Sequence, residues 1–303
     1  MKFLYFGSKP PPIGGVTVSI YNYASALKKR GHEVSYFSPK SLLRRYDISH
    51  GHYSKPWKRA LAVIIGRLLS RKVLFTVHGK YLDTESILNR IAIKLCDGVI
   101  LLNKSTYDYV VDYMSNRKCV ALLPSLFPEG DHPLSKIGKK ITLEKNRNYK
   151  YFLVYAQNRY FHKGKEIYGI SFVLNSLGFF PEDVNLILVD ISKEYRDDVK
   201  SFKNIIYIDE EVDFSFLLNQ VDVYLRPTAM DGDSLAVREA LTMNVPVVAS
   251  DVVPRPEGVC IYKYEDTESF IECIRKASIS SGSSESQKGR VSIDDYIDFC
   301  ARL

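Results

Sequence analysis

Long apolar runs are missing from this chain of 303 residues. No stretch reaches the roughly 18 uninterrupted apolar residues that a membrane-spanning helix needs. Met1 to Phe6 is short and runs straight into a glycine loop, so it does not read as a signal peptide. Cysteine is sparse: Cys96, Cys119, Cys260, Cys273 and Cys300 stand far apart, with no CxxC and no Cys/His cluster at zinc spacing. An odd count excludes complete internal pairing, and free thiols in a reducing, cytoplasmic setting are expected. Acidic residues are nearly absent from the first 80 positions, where fifteen Lys and Arg face only Glu33 and Asp47. The remainder carries 27 basic and 33 acidic residues, so the overall charge of +7 conceals a strong asymmetry. A positive field at one end suits nucleic acid, anionic lipid or a phosphorylated ligand, and equally an ordinary solvated basic face. No recognised nucleic-acid motif accompanies it, and no nucleic-acid partner is expected.

What is present is alternation. Strand-like and helix-like stretches follow one another: Lys2–Phe6, then Val16–Arg30 as an amphipathic helix stopped by Gly31, then His32–Phe37. Ile48 is expected in a short strand of its own. Ala60–Leu69, Ser86–Leu95 and Tyr107–Met114 read as helices between strands at Val73–His78, Val99–Leu102 and Cys119–Leu123. This is the βαβ pattern of a parallel sheet with helices on both faces. It breaks in the basic, polar stretch 136–150, where a link between domains is expected. Alternation restarts at Tyr151–Ala156. Strands follow at Val184–Val189, Ile205–Ile208, Val223–Leu225 and Val245–Ala249, with helices over Lys165–Leu174, Phe214–Leu218, Ser234–Thr242 and Thr267–Ala277. Ser278–Gln287 is serine-rich and reads as a loop. Ile293, Tyr296, Ile297 and Cys300 share one face of a last helix, Ser292–Leu303.

The chemistry concentrates in Asp222–Gly258. A strand leads through Arg226, Pro227 and Thr228 to the loop Asp231–Gly232–Asp233–Ser234, which opens a helix carrying Glu239. Unpaired backbone N–H groups at such a helix start, around Ser234 and Leu235, suit a phosphate. Carboxylates beside them can accept hydrogen bonds from sugar or ribose hydroxyls. Taken singly, Glu239 could be a surface carboxylate and Asp231 a turn residue.

This segment resembles the retaining GT-B glycosyltransferases of family four, the group 1 type. Their Glu-x7-Glu signature appears here as Asp231-x7-Glu239, followed by Ala240 and by Pro246-Val247-Val248-Ala249-Ser250. The departure is Asp231 in place of the first Glu, one methylene shorter. The resemblance implies an α/β fold of GT-B type: two Rossmann-like domains with a cleft between them. The N-terminal acceptor domain would span 1–147 and the nucleotide-sugar donor domain 148–285. The helix in 286–303 would cross back to the first domain. It implies that Glu239 binds the donor ribose, Asp231 contacts the donor sugar, and the amides around Gly232, Asp233, Ser234 and Leu235 hold the diphosphate. In AQNRYFHKGK, residues 156–165, the family places an Arg and a Lys on the donor phosphates. Arg159 and Lys163 are the matching pair, four apart where the family has five, with Lys165 as the alternative. Gly14 and Gly15 stand where the family has a Gly-Gly close to phosphate and acceptor. His78, ending a strand in Val77–His78–Gly79, matches a family His near the reacting sugar. His78, Asp231, Arg159 and Lys163 are thus the catalytic candidates. His50 and His52 could line the acceptor side or simply lie in an exposed loop.

The implied reaction transfers a sugar, with retention, from a UDP- or GDP-linked donor to a saccharide acceptor. A lipid-linked acceptor of surface polysaccharide synthesis fits the basic first half. Asp231–Gly232–Asp233 matches an Asp-x-Asp metal motif, but it opens a helix beside phosphate-binding cations. No metal and no other cofactor is therefore expected. Residues 54–72 (SKPWKRALAVIIGRLLSRK) combine apolar and basic side chains. They read either as a helix lying on an anionic membrane, on the inner face, or as a helix with its apolar face in the core. A same-fold epimerase or phosphorylase, or a non-catalytic nucleotide-sugar-binding subunit, would carry the same donor residues.

Overall fold

The computed structural model describes residues 1–10, 14–79, 82–114, 119–126, 138–279 and 292–303. The regular elements run in chain order as β1 (Lys2–Phe6), α1 (Gly15–Lys29), β2 (Glu33–Tyr36), β3 (Tyr46–Gly51), α2 (Pro56–Leu69), β4 (Ser70–Val77), α3 (Ile87–Leu95), β5 (Gly98–Leu101), α4 (Lys104–Tyr113) and β6 (Cys119–Leu122). Then come β7 (Lys150–Ala156), β8 (Phe161–His162), β9 (Lys165–Glu166), α5 (Ile170–Ser176), β10 (Val184–Asp190), β11 (Ile205–Ile208), α6 (Phe214–Leu218) and β12 (Val223–Arg226). The chain finishes with α7 (Leu235–Thr242), β13 (Val247–Ser250), β14 (Val259–Tyr262), α8 (Thr267–Ile279) and α9 (Ile293–Arg302). Two compact units result. Unit 1 holds Met1–Pro128, Gly232–Leu235 and Arg290–Leu303, and unit 2 holds Glu129–Asp231 and Ala236–Gly289.

Each unit is built on a six-stranded sheet whose neighbours all pair in parallel. Parallel strands covered on both faces must be apolar on both sides, and β7 illustrates how. Phe152 and Val154 enter one core cluster of unit 2, while Tyr151 and Leu153 enter the other. The unit 2 sheet has the order β11-β10-β7-β12-β13-β14. Renumbered within the unit this is 3-2-1-4-5-6, the Rossmann order, whose direction of winding reverses between β7 and β12. The unit 1 sheet runs β2-β1-β3-β4-β5-β6, with its reversal between β1 and β3.

In unit 1 the last helix supplies part of the core. Ile293, Tyr296, Phe299 and Cys300 of α9 pack with Phe3, Tyr5, Ile20, Tyr23 and Leu27. Ser292 caps it, accepting from the Asp294 amide, and Asp294 pairs with Arg30 at 2.6 Å. Helix α2 meets the sheet through small residues: Ala60, Ala62, Val63 and Gly66 are buried, with Leu69 at the end. A Cβ on Gly66 would stand 2.3 Å from Ser49 Oγ, so this helix lies close on its strand. Its bulky residues turn the other way, with Trp57 54%, Leu61 49%, Ile64 41% and Leu68 65% exposed.

The structure departs from or adds to the sequence reading at three places. Ile48 sits in a full six-residue strand, β3, at the middle of its sheet; its Ser, His and Gly residues hide it from an apolar pattern. The helix expected from Lys165 begins at Ile170, because Lys165 closes a β8–β9 hairpin and Gly169 takes a left-handed φ of 67° before the helix. Strand β14, short and half-buried, carried too weak a signal to be read. The stretch 138–149 packs on unit 2: Leu143 is buried, and its amide donates to Gln220 Oε1 at 2.8 Å. Most of the serine-rich loop, 280–287, lies outside the described residues, as do 11–13 of the first glycine loop and 136–137 of the expected link. No two cysteines are joined by a disulfide. No helix among the described residues is long and apolar enough to cross a membrane.

Candidate functional site

Open α/β sheets bind ligands beyond the carboxyl ends of their strands, where the winding reverses. In unit 2 that place lies after β7 and β12. The two loops leaving these strands are locked together. Ala229 N donates to Ile167 O at 2.9 Å, and a Cβ on Gly169 would fall 1.9 Å from Pro227 O. Only glycine, which also accepts the positive φ, fits there.

Asp231 stands at the centre of this region. Arg226 donates to it twice, Nε to Oδ2 at 3.1 Å and the second guanidinium nitrogen to Oδ1 at 3.2 Å. Arg255 donates to Oδ2 at 2.8 Å. All three side chains are largely covered, at 15%, 8% and 2% exposure for Arg226, Asp231 and Arg255. Arg255 is fixed in turn by Ser250, whose carbonyl accepts from its Nε at 2.9 Å. Burial alone would raise the Asp231 carboxyl. The two guanidiniums reverse this and hold it well below the usual carboxylate range. Two cations on one anion leave a buried cluster with a net positive charge.

Glu239 lies on α7 and accepts a hydrogen bond from Ser215 Oγ. Burial pushes its carboxyl up to about 7; the Ser215 bond lowers it and Asp213 raises it further. Arg159, in the loop after β7, pairs with Asp198 at 2.7 Å and lies over the Tyr195 ring at 4.8 Å. That pair is about one-third exposed, so drawing Arg159 away costs on the order of 1 kcal/mol or less. Lys163 and Gly164 form the hairpin turn, both with positive φ (50° and 76°), the backbone of a tight two-residue β-turn. Lys163 is exposed, whereas Lys165 Nζ lies 4.7 Å from the centre of the Tyr264 ring.

The corresponding end of the unit 1 sheet is lined with histidines and tyrosines. His52 Nδ1 and His78 Nε2 are 2.9 Å apart. His50 meets the Tyr296 hydroxyl through Nδ1 at 2.9 Å and Thr76 Oγ1 through Nε2 at 2.7 Å. Tyr5 OH donates to Tyr296 OH at 3.2 Å. Burial drives His50 and His52 well below the ordinary histidine range. Burial, with Arg59 nearby, brings His78 down to about 4, so all three rings are neutral at neutral pH.

Gly14 and Gly15 begin α1 with no demand of their own fold for glycine. Neither has a positive φ, and a Cβ on Gly15 would meet nothing among the described residues within 4 Å. Gly232–Leu235 belong to unit 1. Asn103 Nδ2 donates to Gly232 O at 3.1 Å, Ser125 N donates to the Asp233 carboxylate, and a Cβ on Gly232 would stand 2.2 Å from His78 O. Ser234 and Leu235 are buried at the start of α7.

Arg159, Lys163, Asp231 and Glu239 thus fall in unit 2, and Gly14, Gly15, His78 and Gly232–Leu235 in unit 1. His50 and His52 are buried, not exposed loop residues. Sequence reasoning missed Arg255 and Ser215 and passed over Arg226 as a strand end. Arg255 pairs across 24 positions, a separation at which spacing carries no signal.

No protein-family model matches the chain, and no curated protein matches it in sequence. Solved structures do. HepE from Anabaena, in complex with UDP and glucose, superposes over all of both chains with a TM-score of 0.70 at 16% identity. Sucrose-phosphate synthase from Thermosynechococcus elongatus gives 0.69 at 13% identity, covering 100% of this chain and 94% of that one. The lipopolysaccharide outer core galactosyltransferase WaaB, in its apo form, gives 0.61 at 12%, covering 100% and 95%. The chain has the fold of these GT-B glycosyltransferases.

Proposed function

We propose that this chain is a glycosyltransferase that moves a sugar, with retention, from a UDP- or GDP-linked donor to a saccharide acceptor. The observation that carries the reading is the net positive, buried Arg226–Asp231–Arg255 cluster at the winding reversal of a Rossmann-ordered sheet, with the Glu239 carboxylate on the next helix. Glu239 holds the ribose hydroxyls. Arg159 and Lys163 take the diphosphate, meeting the charge that grows as the leaving group departs, without a metal. Asp231 lies at the donor sugar, already fixed by its two arginines. Gly232–Leu235 add backbone donors, and Gly14 and Gly15 let a ligand approach the backbone. His78 positions the sugar. Likeness in fold to a protein solved with UDP and glucose supports a nucleotide-sugar donor.

The test is thermal unfolding with UDP, GDP, ADP and their sugars, with and without EDTA. A ligand at about 100 times its Kd stabilises the native state by about 2.7 kcal/mol. One nucleotide should raise Tm regardless of EDTA, and Glu239→Ala should abolish the rise. A folded protein that responds to none of them would sink the donor site.

The acceptor we propose is lipid-linked, reached from an anionic membrane surface. Trp57, Leu61, Ile64 and Leu68 recur every three or four residues and form one exposed stripe on α2. Lys55, Lys58 and Arg71 adjoin it, within the first 80 residues, which carry fifteen basic and two acidic side chains. An amphipathic stripe with such charge complements anionic headgroups. The protein should float with vesicles of phosphatidylglycerol and not of phosphatidylcholine, and Leu61→Ser with Leu68→Ser should release it. Equal recovery with both vesicle types would refute membrane docking.

A further inference from the structure

The hydrogen bond between His52 and His78 carries one proton, and the surroundings decide which ring supplies it. Both rings are neutral, so each bears one N–H and one bare nitrogen. If His78 donated from Nε2, His52 would carry its own proton on Nε2. That atom is buried and has no hydrogen-bond partner among the described residues. The adjacent His50 ring, 3.9 Å away between centroids, cannot serve, because Tyr296 and Thr76 occupy both its nitrogens. Burying an unpaired N–H costs about 1–3 kcal/mol, and orphaned N–H donors are rarer in folded proteins than underused acceptors. The alternative leaves only a bare nitrogen at that buried position, with the proton on His52 Nδ1 pointing at His78 Nε2.

We propose that His52 is a positioning residue that fixes His78 with its proton on Nδ1, so that His78 presents a neutral hydrogen-bond donor to a ligand oxygen. This is the opposite of the Nε2–H form usual for free imidazole. His78 makes no other ring hydrogen bond among the described residues, so its Nδ1–H is available. A donor that cannot reverse into an acceptor selects for an oxygen: a sugar hydroxyl or ring oxygen, accepting. The tautomer itself stands on the unit 1 geometry, whereas its use on a sugar rests on the glycosyltransferase reading.

The experiment is two-bond 1H–15N correlation on 15N-histidine-labelled full-length protein at pH 7.5, with His78→Gln used to assign the signal. The wild type should show His78 protonated on Nδ1 and bare at Nε2. A proton on Nε2 overturns the proposal, whatever the activity. In His52→Leu the His78 proton should move to Nε2 and kcat should fall about 10- to 100-fold, the usual effect of losing an orienting partner. His52→Asn, whose Nδ2–H sits near the position of the lost Nδ1–H, should restore both. An unchanged His78 tautomer in a folded His52→Leu protein also refutes it. Should His52→Leu fail to fold, the wild-type spectrum still decides. The expected spectrum in a protein that transfers no sugar would leave the tautomer standing and remove the glycosyltransferase reading instead.

Discussion

Two units with the same kind of sheet place opposite kinds of polar site at its carboxyl end. Unit 1 links three neutral histidines and two tyrosines through hydrogen bonds, with His50 and His52 buried and His78 half-buried. Unit 2 buries an ionised aspartate between two arginines. The first is suited to groups that donate and accept hydrogen bonds. The second retains a positive charge and is suited to an anion. The parallel architecture fixes where a site lies, and the choice between imidazole and guanidinium fixes what can occupy it.

Acid should separate the two units most strongly. Unfolded histidines take up protons below about 6.5. In unit 1 they refuse them until the pH falls well lower, to about 4 for His78. The unfolded state then binds more protons, so unit 1 loses stability as pH drops from 6.5 towards 4. For His78 alone this amounts to about 3 kcal/mol at 1.36 kcal/mol per pH unit, and His50 and His52 add to it. Glu239 has the opposite sign. Its carboxyl, raised from 4.5 to about 7 by burial, takes a proton in the folded state first. Unit 2 therefore gains stability as pH falls from 7 towards 4.5, while Asp231 remains ionised. Hydrogen exchange between pH 8 and 5 should show β3 and β4 opening more readily while β12 and β13 tighten. Parallel slopes in both units would end the comparison.

An effect confined to unit 2 is expected from Asp231→Asn. It leaves Arg226 and Arg255 buried without a counter-ion, a loss of about 3–5 kcal/mol for a broken buried pair. Urea unfolding at pH 7.5 measures it. A loss under about 1 kcal/mol would mean that water already screens the cluster.

The fold was legible wherever apolar alternation was strong. The bounds read for β1 and α6 match the structure, and both helices flanking the serine-rich loop, α8 and α9, were found within two residues. It was illegible where polar side chains line a buried strand, as Ser49 and His50 do in β3, and where a glycine turn interrupts an otherwise helical pattern, as at Gly169. The resemblance carried by Asp231, Glu239 and the strand after them pointed to one region of unit 2. It could not give the partners of those carboxylates. Arg255 and Ser215 reach Asp231 and Glu239 only because strands β12 and β13 and helices α6 and α7 lie side by side once folded. Nor could it reveal that His50 and His52 face inward, since burial of a histidine leaves no trace in spacing.

Helix α9 puts Tyr296 against His50, and it follows all of unit 2 in the chain. Every residue of unit 2 emerges before the residues that complete the core of unit 1. During synthesis the first sheet must therefore wait, with Phe3, Tyr5 and Tyr23 lacking their final cover, while the second domain is translated. A ribosome stalled before residue 293 would carry a finished second domain and an unfinished first one, and the nascent chain would be open to chaperones and proteases on its oldest part.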